Sequence, residues 1–190
     1  MTMTQHRILV PLAPGFEETE AIAIVDVLRR AELDVVTASI GEQQVMGAHG
    51  IGVGADCTWE QLDESSVTAI VLPGGMPGTT NLRDDERVIR LLQRLASEGK
   101  LTAAICAAPL VLGTAGLLGE GREYTCFPGM AADLAQWGPR SEARVVTSGT
   151  VLTSQGPGTA IDFALALVAT LVGSERSREV AAGLLVRSAE

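Results

Sequence analysis

Apolar residues along this chain fall into two patterns, short unbroken aliphatic runs and longer stretches at helical spacing. RILVPLA (Arg7–Ala13) is a run of the first kind that stops at Pro14-Gly15, and it predicts a buried strand. From Glu17 to Ala31 the apolar residues Ala21, Ile24, Val25 and Leu28 recur at helical spacing. The first turn of that helix carries Glu17, Glu18 and Glu20, which suits the positive end of the helix dipole. DVVTASI (Asp34–Ile40) predicts the next strand, and the glycine-rich residues 41–66 predict a hairpin and a short helix. TAIVLPGG (Thr68–Gly75) is an aliphatic strand running into a Pro-Gly-Gly loop, and Asp84–Glu98 is an amphipathic helix with Val88, Leu91, Leu92 and Leu95 inward. LTAAIC (Leu101–Cys106) predicts another buried strand, followed by a helix over Ala107–Ala115 with Pro109 tolerated in its first turn. Val145–Ser148 and Thr150–Ser154 flank Gly149 as a hairpin, and helices over Pro157–Val172 and Ser174–Arg187 close the chain.

Strands that alternate with helices imply right-handed crossovers and a mostly parallel sheet covered by helices on both faces. The 190 residues fit one domain, 1–190. Composition supports this fold class: 46% of residues are hydrophobic but only 3% aromatic, so the core is built from aliphatic side chains, as buried parallel strands are. Leu101–Gly119 is uncharged and of membrane-spanning length, but Thr102, Pro109, Gly113, Thr114 and Gly116 interrupt it, and a strand followed by a buried helix accounts for it better.

The formal net charge of -9 repels phosphates and anionic lipid, and no basic cluster offsets it. With two Trp, one Tyr and three Phe there is no base-stacking platform, so nucleic acid and membrane are both excluded as expected partners. Three cysteines, Cys57, Cys106 and Cys126, form no disulfide framework and no Cys-x-x-Cys motif. The first residues contain no apolar signal core, and a reducing cytoplasm is the expected compartment. No cluster with metal-ligand spacing and no phosphate-binding motif is present in the sequence, and no cofactor is expected.

In parallel α/β folds, sites lie beyond the carboxyl ends of the strands. That places three loops together: Ala13–Glu20, Pro73–Gly78 and Cys106–Pro109. Cys106 ends a strand and begins a helix within AICAAP, as the nucleophile of a strand-to-helix elbow does, with small residues around it. The helix N-terminus there favours thiolate; the other reading is a buried, inert cysteine. His6 precedes the first strand, at the far end of the sheet. His49 lies in the irregular region and reaches the site only by a detour or from a partner chain, so a Cys–His dyad is poorly supported. Glu20 shares a face with Ile24 and Val27, so it is expected to be desolvated and held protonated, able to donate to the thiolate or to shuttle a proton; the other reading is an ordinary helix-start glutamate. The amides of the Gly74-Gly75 turn and of Ala107 are candidates for an oxyanion pocket. Gly-Pro-Gly at 156–158 opens a helix and is either an anion site or turn punctuation.

Together APGFEETEAI, VLPGG, AAICAAP, TCFPG and TSQGPGTAIDFAL, in order from residue 8 to about 172, resemble the ThiJ/PfpI superfamily, in the branch of bacterial YajL and the Parkinson-disease-associated protein deglycase. The resemblance implies a flavodoxin-like three-layer sandwich, related to class I glutamine amidotransferases, and a homodimer. It implies Cys106 as nucleophile and oxidisable thiolate, Glu20 as its hydrogen-bonding acid, and Gly75 and Ala107 as oxyanion amides. Gly74, Glu17, His49, Cys126, Phe127 and Pro157 are candidates for the surrounding pocket. Animal members often carry a His before the proline of the TCFP-like motif; here that residue is Phe127. An interface arginine of the family corresponds to His49, and Ala107 stands where the protease-like branch has a His, which excludes peptidase activity. The chemistry implied is cofactor-free glyoxalase or deglycase action on small reactive carbonyls or glycated adducts. The alternative is a redox sensor or chaperone whose Cys106 is oxidised to sulfinate without turnover.

Overall fold

A computed structural model describes residues 7–119 and 121–186. His6, expected at the far end of the sheet, and Arg187, expected at the end of the last helix, lie outside the described residues. The strands are β1 (Arg7–Leu12), β2 (Asp34–Ser39), β3 (Gln44–Met46), β4 (Gly52–Gly54), β5 (Cys57–Thr58), β6 (Val67–Leu72), β7 (Leu101–Ile105), β8 (Val145–Ser148) and β9 (Val151–Ser154). The α-helices are α1 (Glu18–Arg30), α2 (Gly78–Asp84), α3 (Glu86–Ser97), α4 (Pro109–Thr114), α5 (Ala131–Leu134), α6 (Ala160–Val172) and α7 (Ser174–Gly183).

Seven strands form one sheet in the order β5-β2-β1-β6-β7-β9-β8, all parallel except the β8–β9 pair. The small antiparallel pair β3–β4 stands apart from it. Because successive strand residues point to opposite faces, each aliphatic run serves two cores. Ile8, Val10 and Leu12 of β1, with Val71 of β6 and Ile105 of β7, pack against Ile24, Val27 and Leu28 of α1 and Phe163 and Leu167 of α6. Leu9, Ile70, Leu72 and Ala104 face the other way, against Val88, Leu91, Leu92 and Leu95 of α3 and Val111 and Leu112 of α4. This is the expected sandwich with helices on both faces. The tempting apolar segment 101–119 divides into β7 and the six-residue α4, and no described helix is long and apolar enough to cross a membrane.

Several boundaries differ from the pattern-based expectation. The helix expected from Asp84 instead begins at Glu86, with Asp85 as N-cap accepting from the Arg87 amide, and a separate helix, α2, precedes it. The helix after Cys106 starts at Pro109, two residues late, after a turn over residues 106–108 that begins with Cys106 in a left-handed conformation. The helix expected from Pro157 opens with a 3-10 turn over Pro157–Thr159 and becomes α-helical at Ala160.

Candidate active site

Strand order reverses its direction of travel between β1 and β6, and in open α/β sheets that switch point opens a crevice at the carboxyl ends. The loop after β1, the glycine turn after β6 and the residue after β7 meet there. Glu17 caps α1: its Oε2 accepts from the Glu20 amide at 2.6 Å, while its own amide donates to the Gly74 carbonyl at 2.9 Å. Gly75 has φ +91°, and a Cβ on it would lie 2.3 Å from the Glu17 nitrogen. A Cβ on Gly74 would lie 2.7 Å from Cys106 Cβ and 2.8 Å from Glu20 Oε2. Both glycines are therefore demanded by the close approach of three loops, not merely by a turn.

Cys106 itself sits at φ +65°. A non-glycine residue rarely adopts this conformation, and such strain is concentrated at functional positions. The turn is held on both sides: the Cys106 amide donates to Ser154 O at 3.0 Å, and its carbonyl accepts from the Phe127 amide at 2.8 Å. Its thiol is partly exposed. The backbone amides of Ala107 and Gly75 face the sulfur, as expected for an anion-stabilising pair.

Glu20 is fully buried. Its Oε2 accepts from the Gly74 amide at 2.7 Å. Its Oε1 is buried without a well-formed hydrogen bond, and the Cys106 thiol lies against this same carboxyl. Burial raises the carboxyl to about 7; the Gly74 amide and the Cys106 contact oppose that rise, and the charge of Glu17 adds to it. The expectation of a desolvated, protonatable Glu20 is met in geometry and in direction.

Burial and neighbouring charge oppose the lowering expected from a helix N-terminus. Burial raises the Cys106 thiol, and an ionised Glu20 beside it raises it further; only the amides of Ala107 and Gly75 pull it down. The six-residue α4 begins three residues beyond the sulfur, too short and too distant to dominate. One buried negative charge is all the pair tolerates. The thiolate therefore requires the proton on Glu20, where the orphan Oε1 can donate it to sulfur.

The structure places the remaining candidates unevenly. Phe127 is 46% exposed and borders the site: a point built as Cβ on Gly156 lies 3.4 Å from its ring and 3.9 Å from Cys106 Sγ. Pro157 is exposed on the adjoining rim. The Gly156 amide donates to Thr159 Oγ1 at 3.1 Å, so this turn spends that donor internally, which favours turn punctuation over an anion site. Cys126 is fully buried, a member of the second core cluster, and burial raises its thiol.

The β3–β4 hairpin docks on the loop before α1, with Gly15 N donating to Met46 O at 2.8 Å and Ala48 N to Phe16 O at 2.8 Å, and this brings His49 to the acidic start of α1. His49 Nδ1 then lies 2.8 Å from Glu18 Oε2 and 4.0 Å from Glu17 Oε1. Glu18 is buried; burial opposes its ionisation, but the His49 ring and the amides of Glu18, His49 and Ile51 more than offset this and hold it at about 2. Donor atoms of Glu17, Glu18 and His49 all lie within 4.8 Å of one another, a juxtaposition that sequence spacing did not show.

The DJ-1/PfpI family pattern matches residues 6–170. This chain belongs to the DJ-1/PfpI family. Protein DJ-1 homolog B of Arabidopsis thaliana is 39% identical over 189 residues, covering 98% of this chain but 43% of that protein. The chain thus spans less than half the length of that plant relative. The glutathione-independent glyoxalase DJR-1.2 of Caenorhabditis elegans is 34% identical over 178 residues, covering 93% of this chain and 94% of that one. Among solved structures, oxidized Toxoplasma gondii DJ-1 superposes with a TM-score of 0.91 at 38% identity, covering 96% of this chain and 100% of that chain.

Proposed function

We propose that this protein is a cofactor-free glyoxalase that converts methylglyoxal and related small 2-oxoaldehydes to hydroxy acids at Cys106, and that early glycation adducts enter the same site. The observation that carries this reading is the contact between Cys106, strained at φ +65° and faced by the Gly75 and Ala107 amides, and a buried Glu20 poised near neutrality. With the proton on Glu20, the sulfur attacks the aldehyde carbon and forms the C–S bond of a hemithioacetal. The aldehyde oxygen takes up the negative charge within reach of the two amides, then the proton from Glu20. The Glu20 carboxylate next removes the C1 proton and returns it to C2, while the C1 hydroxyl proton passes to the C2 oxygen, so that C1 is oxidised as C2 is reduced and no external electron acceptor is needed. Water cleaves the resulting thioester, releasing the hydroxy acid and the thiol. The family relation to a glutathione-independent glyoxalase supports this assignment.

A homodimer is part of the proposal. Exposed Ile22 of α1 and Met46 and Ile51 of the β3–β4 hairpin support it as an apolar surface, and light scattering that gives a monomer at micromolar concentration would remove it.

The test is lactate formation from methylglyoxal by reduced protein without glutathione, beside Cys106→Ser and Glu20→Gln. Lactate from wild type alone is the expected result; equal turnover by Cys106→Ser would refute the mechanism. A second reading rests on the same amides, which together with a protonated Glu20 suit the oxygens of a Cys106 sulfinate and hence a redox sensor. Intact mass after mild peroxide checks it, and the absence of selective oxygen addition at Cys106 removes it.

A further inference from the structure

His49 stands outside the mechanism above, yet it is wired to it. Its side chain is 69% exposed, but its Nδ1 is fixed by Glu18, a side chain only 6% exposed. Glu18 Oε1 also accepts from the His49 amide at 2.7 Å, so ring and backbone are both anchored. Glu17 Oε1 lies 4.0 Å from Nδ1, too far for a hydrogen bond and close enough for electrostatic coupling. The second oxygen of that same Glu17 carboxylate binds the amide of Glu20 at 2.6 Å. The exposed imidazole therefore neighbours the Glu17 carboxylate that also binds the backbone of Glu20, whose own carboxyl lies against the Cys106 thiol.

We propose that His49, oriented by Glu18, is a positioning residue that sets through Glu17 how tightly the Glu20–Cys106 pair holds its proton. This rests on the assignment of Glu20 as the proton-handling group. Glu17 acts on Glu20 as a like charge and favours its neutral form. An imidazolium at His49 offsets Glu17 and lets Glu20 ionise at lower pH; a neutral imidazole withdraws that help. The charged and titratable groups facing His49 are Glu18 and Glu17 of the α1 start, and those facing Glu20 are Glu17 and Cys106. The hydrogen bond His49 donates to Glu18, then the charges of Glu18 and Glu17, raise His49 above the usual histidine value. As pH rises, loss of the His49 charge strengthens the hold of Glu20 on its proton.

The test is the titration of the Glu20 carboxyl by 13C NMR in reduced protein, its resonance assigned by its loss in Glu20→Gln. The expected order of midpoints is His49→Arg below wild type and wild type below His49→Ala, with His49→Ala displaced upward by roughly half a pH unit, the size of a screened charge interaction at this range. In a Glu17→Gln background, which keeps the capping oxygen but not the charge, the effect of His49→Ala shrinks. Three coincident midpoints, or the reverse order, overturn the proposal; a full effect in the Glu17→Gln background overturns the route through Glu17. Lactate formation followed in the same samples reports separately on the glyoxalase assignment. A wild type that makes no lactate defeats that assignment, while the Glu20 midpoints still decide this one.

Discussion

Glu20→Gln separates what Glu20 does for activity from what it costs in stability. In the folded protein the carboxyl is raised from 4.5 to about 7, chiefly by burial. A raised folded value means that the native state binds the proton more tightly than the unfolded chain does. Stability linked to that proton is complete below the unfolded value of 4.5 and is lost progressively as pH rises through about 7. The full difference corresponds to about 3 kcal/mol. This is an upper limit, because shifting the charge to sulfur, where the Gly75 and Ala107 amides meet it, relieves part of the strain. Glutamine is nearly isosteric: its carbonyl can accept from the Gly74 amide and its amide nitrogen can face the sulfur, as a protonated glutamate does. The variant is therefore expected to match wild type in stability near pH 4 and to exceed it by up to about 3 kcal/mol at pH 8, or roughly 6–12 °C in Tm for a chain of this length. Urea unfolding under reducing conditions at the two pH values measures this directly, with lactate formation abolished in parallel. A variant whose advantage does not grow with pH, or which is less stable at pH 8, would refute the burial argument.

Gly74→Ala is expected to lower turnover about 100-fold, since its Cβ would press on both Cys106 Cβ and Glu20 Oε2 and displace the reacting pair; steady-state kinetics on folded variant checks this. Tyr124→Phe removes a buried hydroxyl that lies 3.0 Å from Leu134 O and 2.8 Å from Gly138 O, and should cost roughly 1–3 kcal/mol in urea unfolding with the kinetics of the distant site unchanged. Leu92→Ala in the fully buried face of α3 should cost roughly 2–5 kcal/mol by the same assay, and a loss below 1 kcal/mol would mean that the second core layer collapses around the cavity.

Periodicity alone located β1, β2, β6 and β7 and the inward faces of α1 and α3, because burial on both faces of a parallel sheet leaves an aliphatic run that no other element needs. Cys106 and Glu20 were legible for related reasons. One follows such a run within a string of small residues, and the other lies on an apolar stripe where a carboxyl has no ordinary purpose. Gly74 and Gly75 were visible as a turn, but their deeper constraint, the approach of Glu17, Glu20 and Cys106 to where a Cβ would stand on them, exists only in three dimensions. Helix α2 and the short helical turns between Pro128 and Trp137 carry too few residues for a repeat to register. Least visible was His49, 31 residues from Glu18 in sequence and joined to it only when the β3–β4 hairpin docks on the loop before α1. The ionisation of Cys106 was likewise a tertiary matter. Sequence placed a thiol at a strand-to-helix turn and so suggested a lowered value. The assembled site instead desolvates that thiol against a second acid, and which of two buried groups carries one proton depends on the distances and dielectric between them.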